Sequence, residues 1–371
     1  MEHKKLGDIA TYVNGYAFKP EDRGTEGLPI IRIQDLTGNS YDLGFYNGEY
    51  PKKIELNNGD ILISWSASLG VYEWNRGKAL LNQHIFKVVF DKLDVSKKYF
   101  VFAVKYNLKE MEKRTHGATM KHITKKDFDN VLVPFPPLNK QQEIADTLDT
   151  LQSVITHRKQ QLEKLDLLVK FRFVEMFGEP TINDKSFPIK KLSDIAEYWN
   201  GLTYKPENIS ENGIIVLRSS NIQNYQLDFK DTIRVDCKIG NKKIVQKNDI
   251  LMCSRNGSAK LVGKVALIDK LSEPMSFGAF MMIIRSKYYN YLMTYFQLPA
   301  FRTQITTGAT TTINQITGKM LDKINIPVPP LDLQTQFADF VKQVDKSRFA
   351  IQNNLEQAQM LFDSLMQEYF G

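Results

Sequence analysis

One stretch of the chain has the composition of a phosphate-binding loop: GSAKLVGKV, Gly257 to Val265, places two glycines ahead of a lysine. A loop that cradles phosphates needs four residues between its glycines and a hydroxyl after the lysine to hold magnesium. Here five residues separate Gly257 from Gly263, and Val265 stands where the hydroxyl belongs. The chemistry is therefore not available. The five histidines, His3, His84, His116, His122 and His157, fall at no metal-ligand spacing. Cys237 and Cys253 stand sixteen apart with no second thiol pair or neighbouring histidine, which suggests neither a zinc site nor a disulfide framework. The Asn/Asp-Pro-Pro-aromatic tetrapeptide of amino-methyltransferases is absent, since both Pro-Pro pairs precede leucine, at Leu138 and Leu331. No nuclease-like cluster of carboxylates and lysine stands out. The expectation is a chain that is not an enzyme and takes no cofactor and no metal.

Bulk composition agrees with a globular binding protein. With 371 residues, 42% of them hydrophobic, the chain can bury sizeable cores and is long enough for two or three domains. Apolar runs such as Phe277–Ile284 are far shorter than the ~18 residues that cross a bilayer, and the opening MEHKKLGDIA has no signal-like apolar core. A cytoplasmic protein with no membrane partner is expected. The net charge of +7 and pI near 9.0 suit a nucleic-acid partner without demanding one. Local basic clusters, KHITKK at Lys121–Lys126 and KKYFVFAVK at Lys97–Lys105, are explained equally well as solvated faces.

The organisation of the chain is more telling than its composition. KKLGDIATYVNGYAFKPE (Lys4–Glu21) aligns without gaps on KKLSDIAEYWNGLTYKPE (Lys190–Glu207), with twelve of eighteen positions identical. At the same offset Arg32 falls opposite Arg218. GDILISW (Gly59–Trp65) faces NDILMCS (Asn248–Ser254), and HGATMKHIT (His116–Thr124) faces TGATTTINQIT (Thr307–Thr317). VPFPPLNKQQEIADTL (Val133–Leu148) faces IPVPPLDLQTQFADFV (Ile326–Val341). The chain is a tandem duplication. Each copy opens with short β-like runs broken by Asn and Gly, together with helical patches such as Tyr99–Arg114, and reads as a compact α/β domain. The expected boundaries are a first domain at 1–137, a helix at 138–178, a linker at 179–188, a second domain at 189–330 and a second helix at 331–371.

Both rear segments are predicted as long helices. Asn139 and Asp332 are the candidate N-caps, and Gly178 ahead of Pro180 is the candidate stop. Between cap and stop, apolar residues recur at spacings of four and three: Ile144, Leu148, Leu151, Ile155, Leu162, Leu165, Val169 and Met176 in the first helix, with Arg158 and Arg172 interrupting. In the second they are Phe337, Val341, Val344, Ile351, Leu355, Ala358, Phe362, Leu365 and Tyr369, with Arg348 interrupting. Two narrow seams of equal length in one chain suit each other better than they suit a domain surface, so an antiparallel coiled coil with internal pseudo-twofold symmetry is expected. The arginines then read as polar interruptions that set its register.

Taken in this order and twice over, these features resemble the DNA-specificity (S) subunits of type I restriction–modification systems. The residues that carry the resemblance are the two-copy layout, the Gly-Ala-Thr segments followed by Ile-Thr (Gly117–Phe128 and Gly308–Leu321), and the Pro-x-Pro-Pro-Leu-x-x-Gln lead into each long helix (Pro134–Gln141 and Pro327–Gln334). The resemblance covers nearly the whole chain. It implies two target recognition domains, each reading one half of a bipartite, asymmetric double-stranded DNA target, with the long helices setting the spacing. It also implies two methyltransferase subunits docked on that core and restriction subunits joining it. S-adenosylmethionine would then bind a partner and not this chain.

Base reading calls for Arg, Lys, Asn and Gln, whose donors and acceptors fork onto base edges, carried on loops or helix ends. In the first copy the candidates are Arg32, Gln34, Trp65, Ser66, Ser68, Arg76, Lys78, Thr119, Lys121 and His122. In the second they are Arg218, Ser220, Asn221, Arg255, Asn256, Ser258, Lys260, Thr312, Asn314 and Gln315. These loops align between copies yet differ in chemistry, as two readers of different half-sites require. For each residue the competing account is an ordinary solvated loop. Trp65, Trp74 and Trp199 sit beside apolar strands and read more readily as core than as stacking surfaces. A non-enzymatic protein-interaction scaffold with two binding heads on a coiled-coil spacer is the alternative function.

Overall fold

A computed structural model describes residues 2–39, 42–114, 123–306 and 314–371. The chain forms two compact units: residues 1–160 with 352–371, and residues 161–351. Each unit thus contains one α/β head, one half of the first long helix and one half of the second.

In the first unit, strand Asp60–Ser64 lies between Gly70–Trp74 and Ile85–Val89, and Thr11–Asn14 completes an antiparallel four-stranded sheet. Successive strand side chains point to opposite faces, and the packing follows this alternation. Ile61, Ile63, Phe86 and Val88 join a core that also takes in Tyr99, Phe100 and Val104 of the helix Lys97–Arg114. Leu62 and Ile85 turn to the other face and meet Ile30, Ile31, Leu80 and Leu81. That second face is covered by a smaller sheet, Phe45–Tyr46, Leu28–Ile31, Ala79–Leu81 and Glu55–Leu56, whose central pair is parallel. The sheet is buried on both faces, which is why DILIS reads as a continuous apolar run.

The second unit repeats the plan. Glu197–Asn200, Met281–Arg285, Ile250–Cys253 and Val265–Leu267 form the four-stranded sheet. Ile250, Met252, Met282 and Ile284 face the helices Tyr289–Tyr295 and Pro299–Thr306. Leu251, Cys253, Met281 and Ile283 face the smaller sheet, in which Ile209–Leu217 runs parallel to Met275–Phe277. In each copy the Lys-Lys strand, His3–Lys5 or Ile189–Lys191, pairs antiparallel with the strand that feeds the long helix, Leu132–Pro134 or Asn325–Pro327. The repeated Asn-Gly pair also has a structural cause. The strand end at Gly15 presses on Asn82, and that at Gly201 presses on Phe277 and Gly278, so closely that no Cβ fits.

The long helices run Leu138–Phe177 and Leu331–Phe370, 40 residues each. Within the first unit, Ile144, Leu148 and Ile155 near the start of one share a core with Phe362, Met366 and Phe370 near the end of the other. Within the second unit, Val169, Phe173 and Phe177 near the end of the first helix pack with Phe337 and Val341 near the start of the second. The packing in both units is antiparallel. Gly178, at a φ of 74°, ends the first helix, a left-handed conformation that glycine adopts without strain.

The helix starts differ from expectation. Asn139 and Asp332 lie inside the first turn, because the amides of Gln141 and Gln334 already bond the carbonyls of Pro137 and Pro330. The motif glutamine instead ties the helix start to the segment that leads into it. Its side-chain amide is buried and donates back to Pro136 in the first copy (2.9 Å) and to Pro329 in the second (2.8 Å). Gln141 also accepts from the Ser96 amide at 3.0 Å, which ties the helix start to the head. Replacing Gln334 by alanine strands a buried carbonyl and is expected to cost about 1–3 kcal/mol. Urea denaturation of the intact chain checks this, and an unchanged midpoint would remove the glutamine from the account.

Two seam arginines behave differently from each other. Arg172 is half-buried, pairing with Glu175 three residues on and lying 5.6 Å from the Phe340 ring centre of the second helix, and the buried position belongs to Phe173. Arg348 is buried in the seam and bridges Asp166 of the first helix and Asp345 of its own. A slip of the pair would break the bridge to Asp166 and leave the buried Arg348 only Asp345 of its own helix, which disfavours other alignments.

Candidate nucleic-acid interface

Each head brings separate stretches of sequence to one end of its four-stranded sheet. In the second unit the central strand ends at Cys253, and the chain turns through Ser254 and Arg255. The Ser254 amide, its hydroxyl and the Arg255 amide all donate to the Phe280 carbonyl, at 2.9, 2.9 and 3.1 Å. The Ile316 amide donates to Ser254 at 2.7 Å, and Arg255 forms an isolated bridge with Gln315. Asn256 donates its side-chain amide to the Ser219 hydroxyl (3.2 Å) and its main-chain amide to Asn314 (3.3 Å). Three candidate loops, around 218–221, 254–260 and 314–315, are therefore joined by direct hydrogen bonds.

The first unit uses the same framework. The Trp65 amide donates to His84 (3.3 Å) and the Ile123 amide to Trp65 (3.0 Å), matching the bonds of Ser254 to Phe280 and Ile316 to Ser254. Arg76 reaches from the next hairpin to the Asp35 carbonyl at 3.1 Å. Its guanidinium lies 4.9 Å from the Trp74 ring centre, a cation–π contact. Trp65 packs edge-on to His84 and stacks on Phe86.

Individual residues divide into those held by the scaffold and those presented to solvent. Arg32 is tied to the buried Asp35 and to the Asp42 carbonyl, and the Asp35 carboxylate also accepts from the Arg32 amide as a helix cap. Arg218 occupies the equivalent place, with its guanidinium on Asp231 (2.8 Å) and its amide on Asn221. Asn221 is fully buried and donates to Asp228 and Asp231 carbonyls, so its amide is spent inside the head. Ser220 is half-buried. Ser66 is half-buried, and Ser68, next to the left-handed Ala67, lends its carbonyl to the Ser64 hydroxyl. Lys78 pairs with Glu55 on the surface. Gln34, Arg76, Arg255, Ser258, Lys260, Asn314 and Gln315 are exposed, and Asn256 is half-buried. Thr119, Lys121, His122 and Thr312 lie outside the described residues, as do both Gly-Ala-Thr segments.

Trp74 is core, its indole N–H donating to Gly77, and Trp199 is partly buried with its N–H on Lys242. The sequence reading missed Phe280 and His84, which hold equivalent positions against Arg255 and Trp65. The available signal was that FGAFMMII contains a turn: Gly278-Ala279 interrupts the apolar run just where an aromatic side chain is left outside.

Two copies of one α/β head, each continuing into a 40-residue helix, with matched loop clusters carrying unlike side chains, define a duplicated two-headed architecture. The family described as "Type I restriction modification DNA specificity domain" matches residues 1–166 and 185–358, and the chain belongs to that family. Among curated relatives it is 24% identical to the specificity subunit of the type I restriction enzyme EcoBI from Escherichia coli, over 98% of this chain and 84% of the relative. It is likewise 24% identical to the MjaVIII specificity subunit from Methanocaldococcus jannaschii, over 92% and 85%. The fold is also that of the solved type I restriction–modification S subunit from M. genitalium, with a TM-score of 0.56 at 16% identity, covering 100% of this chain and 96% of that one.

Proposed function

We propose that this chain reads DNA sequence for a type I restriction–modification complex, each head taking one half of an asymmetric, interrupted duplex target. The observation that carries the reading is framework identity with side-chain divergence. Equivalent hydrogen bonds hold Trp65 and Ser254, then His84 and Phe280, yet the groups presented differ. A fold maintained while its exposed tips change is what two readers of different sequences require. The long helices, each about 60 Å by their residue count, hold the half-sites apart on a scale that exceeds one ~34 Å turn of B-DNA. Two methyltransferase subunits dock on this core and supply both S-adenosylmethionine and the chemistry, and restriction subunits join them. The complex works in the cytoplasm, where its DNA is.

Mapping methylated bases in the host genome, with the chain present and then deleted, tests the proposal. An interrupted, two-part motif should vanish on deletion. Persistence of every methylated motif would refute it. In vitro, affinity for a target duplex should fall at least tenfold between 50 and 200 mM salt, as phosphate-dominated binding does. A protein-only scaffold would show no DNA affinity to lose.

A further inference from the structure

Arg255 differs from the other well-placed arginines of its head. Arg218, Arg234 and Arg285 have their guanidinium forks on Asp231, Glu273 and Asp249. Among the described residues Arg255 has no carboxylate partner, and it is exposed. Its main chain is nevertheless held from two sides, by the Phe280 carbonyl at 3.1 Å and by the bridge to Gln315. Its guanidinium carbon lies 5.3 Å from the Phe280 ring centre. That ring is 60% exposed, an apolar cost at a loop tip which no core packing explains.

A phenyl face against a guanidinium leaves the N–H edge free while removing much of the side chain's rotamer freedom. A planar, positioned pair of N–H donors with no carboxylate to satisfy it fits one base edge in the major groove, the O6 and N7 acceptors of guanine. Asn256 cannot compete for this role, because its amide is on Ser219 and its oxygen accepts from the Ser258 amide at 2.9 Å. In the first head the equivalent of Arg255 is Ser66, and the aromatic lies instead at Trp65, so the device is absent at that position; the Arg76–Trp74 stack lies on the next hairpin, with the guanidinium tied to the Asp35 carbonyl.

Resting on the reading of the heads as DNA-binding, we infer that Arg255, stacked on Phe280, selects a guanine in the half-site read by the second unit. Phe280 is a positioning residue: it orients the fork and touches no base edge itself.

The test uses the complete complex with its methyltransferase subunits. For the wild type, duplexes carrying 7-deazaguanine at one guanine at a time remove the N7 acceptor without touching the protein. One position, confined to one half-site, should weaken binding about tenfold or more, and that penalty should disappear in Arg255→Ala. In cells, Arg255→Lys should relax methylation at the same position by about 10- to 100-fold in discrimination while the other half-site is read unchanged. Phe280→Leu should relax the same position less, and Phe280→Tyr should restore it. A wild-type complex indifferent to every 7-deazaguanine in that half, or a penalty that survives Arg255→Ala, overturns the inference while leaving DNA reading intact. Loss of all sequence-dependent binding in the wild type would instead refute the proposed function, and this inference with it.

Discussion

Gly201→Ala should destabilise the second unit by about 3–5 kcal/mol, a large share of the 5–15 kcal/mol that holds a typical domain together. A Cβ at Gly201 would sit 2.1 Å from the Phe277 carbonyl oxygen and 2.3 Å from that of Gly278. Both obstacles are main chain, so no side-chain rotation relieves them. The strands must part by more than an ångström, which sacrifices the Leu202 amide bond to Phe277 (2.6 Å) and the Gly201 amide bond to Met281 (3.1 Å). The damage falls on the segment that presents Phe280, so DNA binding should fall with stability. Gly15→Ala should do the same in the first unit, where the added carbon would lie 2.0 Å from the Asn82 oxygen. Denaturant unfolding of the intact chain, followed with a probe in the affected head, measures this. A loss under about 1 kcal/mol would show that the two segments separate easily and that the close approach is incidental.

Phe173→Ala carries a comparable effect by a different route. The ring is fully buried, and its centre lies 4.8 Å from Phe177, 5.0 Å from Tyr291 and 5.6 Å from Phe337. Those partners belong to the first long helix, a helix of the head and the second long helix. Removing the ring leaves a cavity where three elements meet, at a cost of about 3–5 kcal/mol. Because the cavity uncouples helix from head inside the second unit, the variant should also lose discrimination between targets of different spacer length. Phe173→Leu should recover most of the stability. If Phe173→Ala matched the parent in both unfolding midpoint and spacer discrimination, the helix would not be what positions that head.

Much of this was legible in the chain because duplication leaves a register that needs no physics to detect. Lys4–Glu21 laid on Lys190–Glu207 puts Arg32 on Arg218, the GDILISW and NDILMCS runs put Trp65 on Ser254, and the structure bears out both pairs with matching hydrogen bonds. The seam was legible along most of each helix for a similar reason, since spacings of four and three state which face must be covered. It misled at Arg172. There the helix packs on Tyr291 of the head as well as on Phe337 of its helical partner, and the buried face drifts by one residue to Phe173, as a 3.6-residue helix does against a 3.5-residue repeat. The cap assignment misled because a polar residue after Pro-Pro satisfies the usual capping pattern. Only the fold shows a buried glutamine two residues on reaching back to a proline carbonyl.

What the amino-acid order determined alone is the plan: two heads of one design, two long amphipathic helices, and loops that match in position and differ in chemistry. Periodicity and repetition are local or self-referential signals, so they survive without coordinates. What the tertiary structure decided is which polar groups remain available. Asn221 and Arg255 look equally suited to reading a base, yet one is sealed by two main-chain carbonyls and the other stands exposed on an aromatic ring. Hydrogen-bond satisfaction in a folded interior is set by partners distant in sequence, and no spacing rule anticipates it.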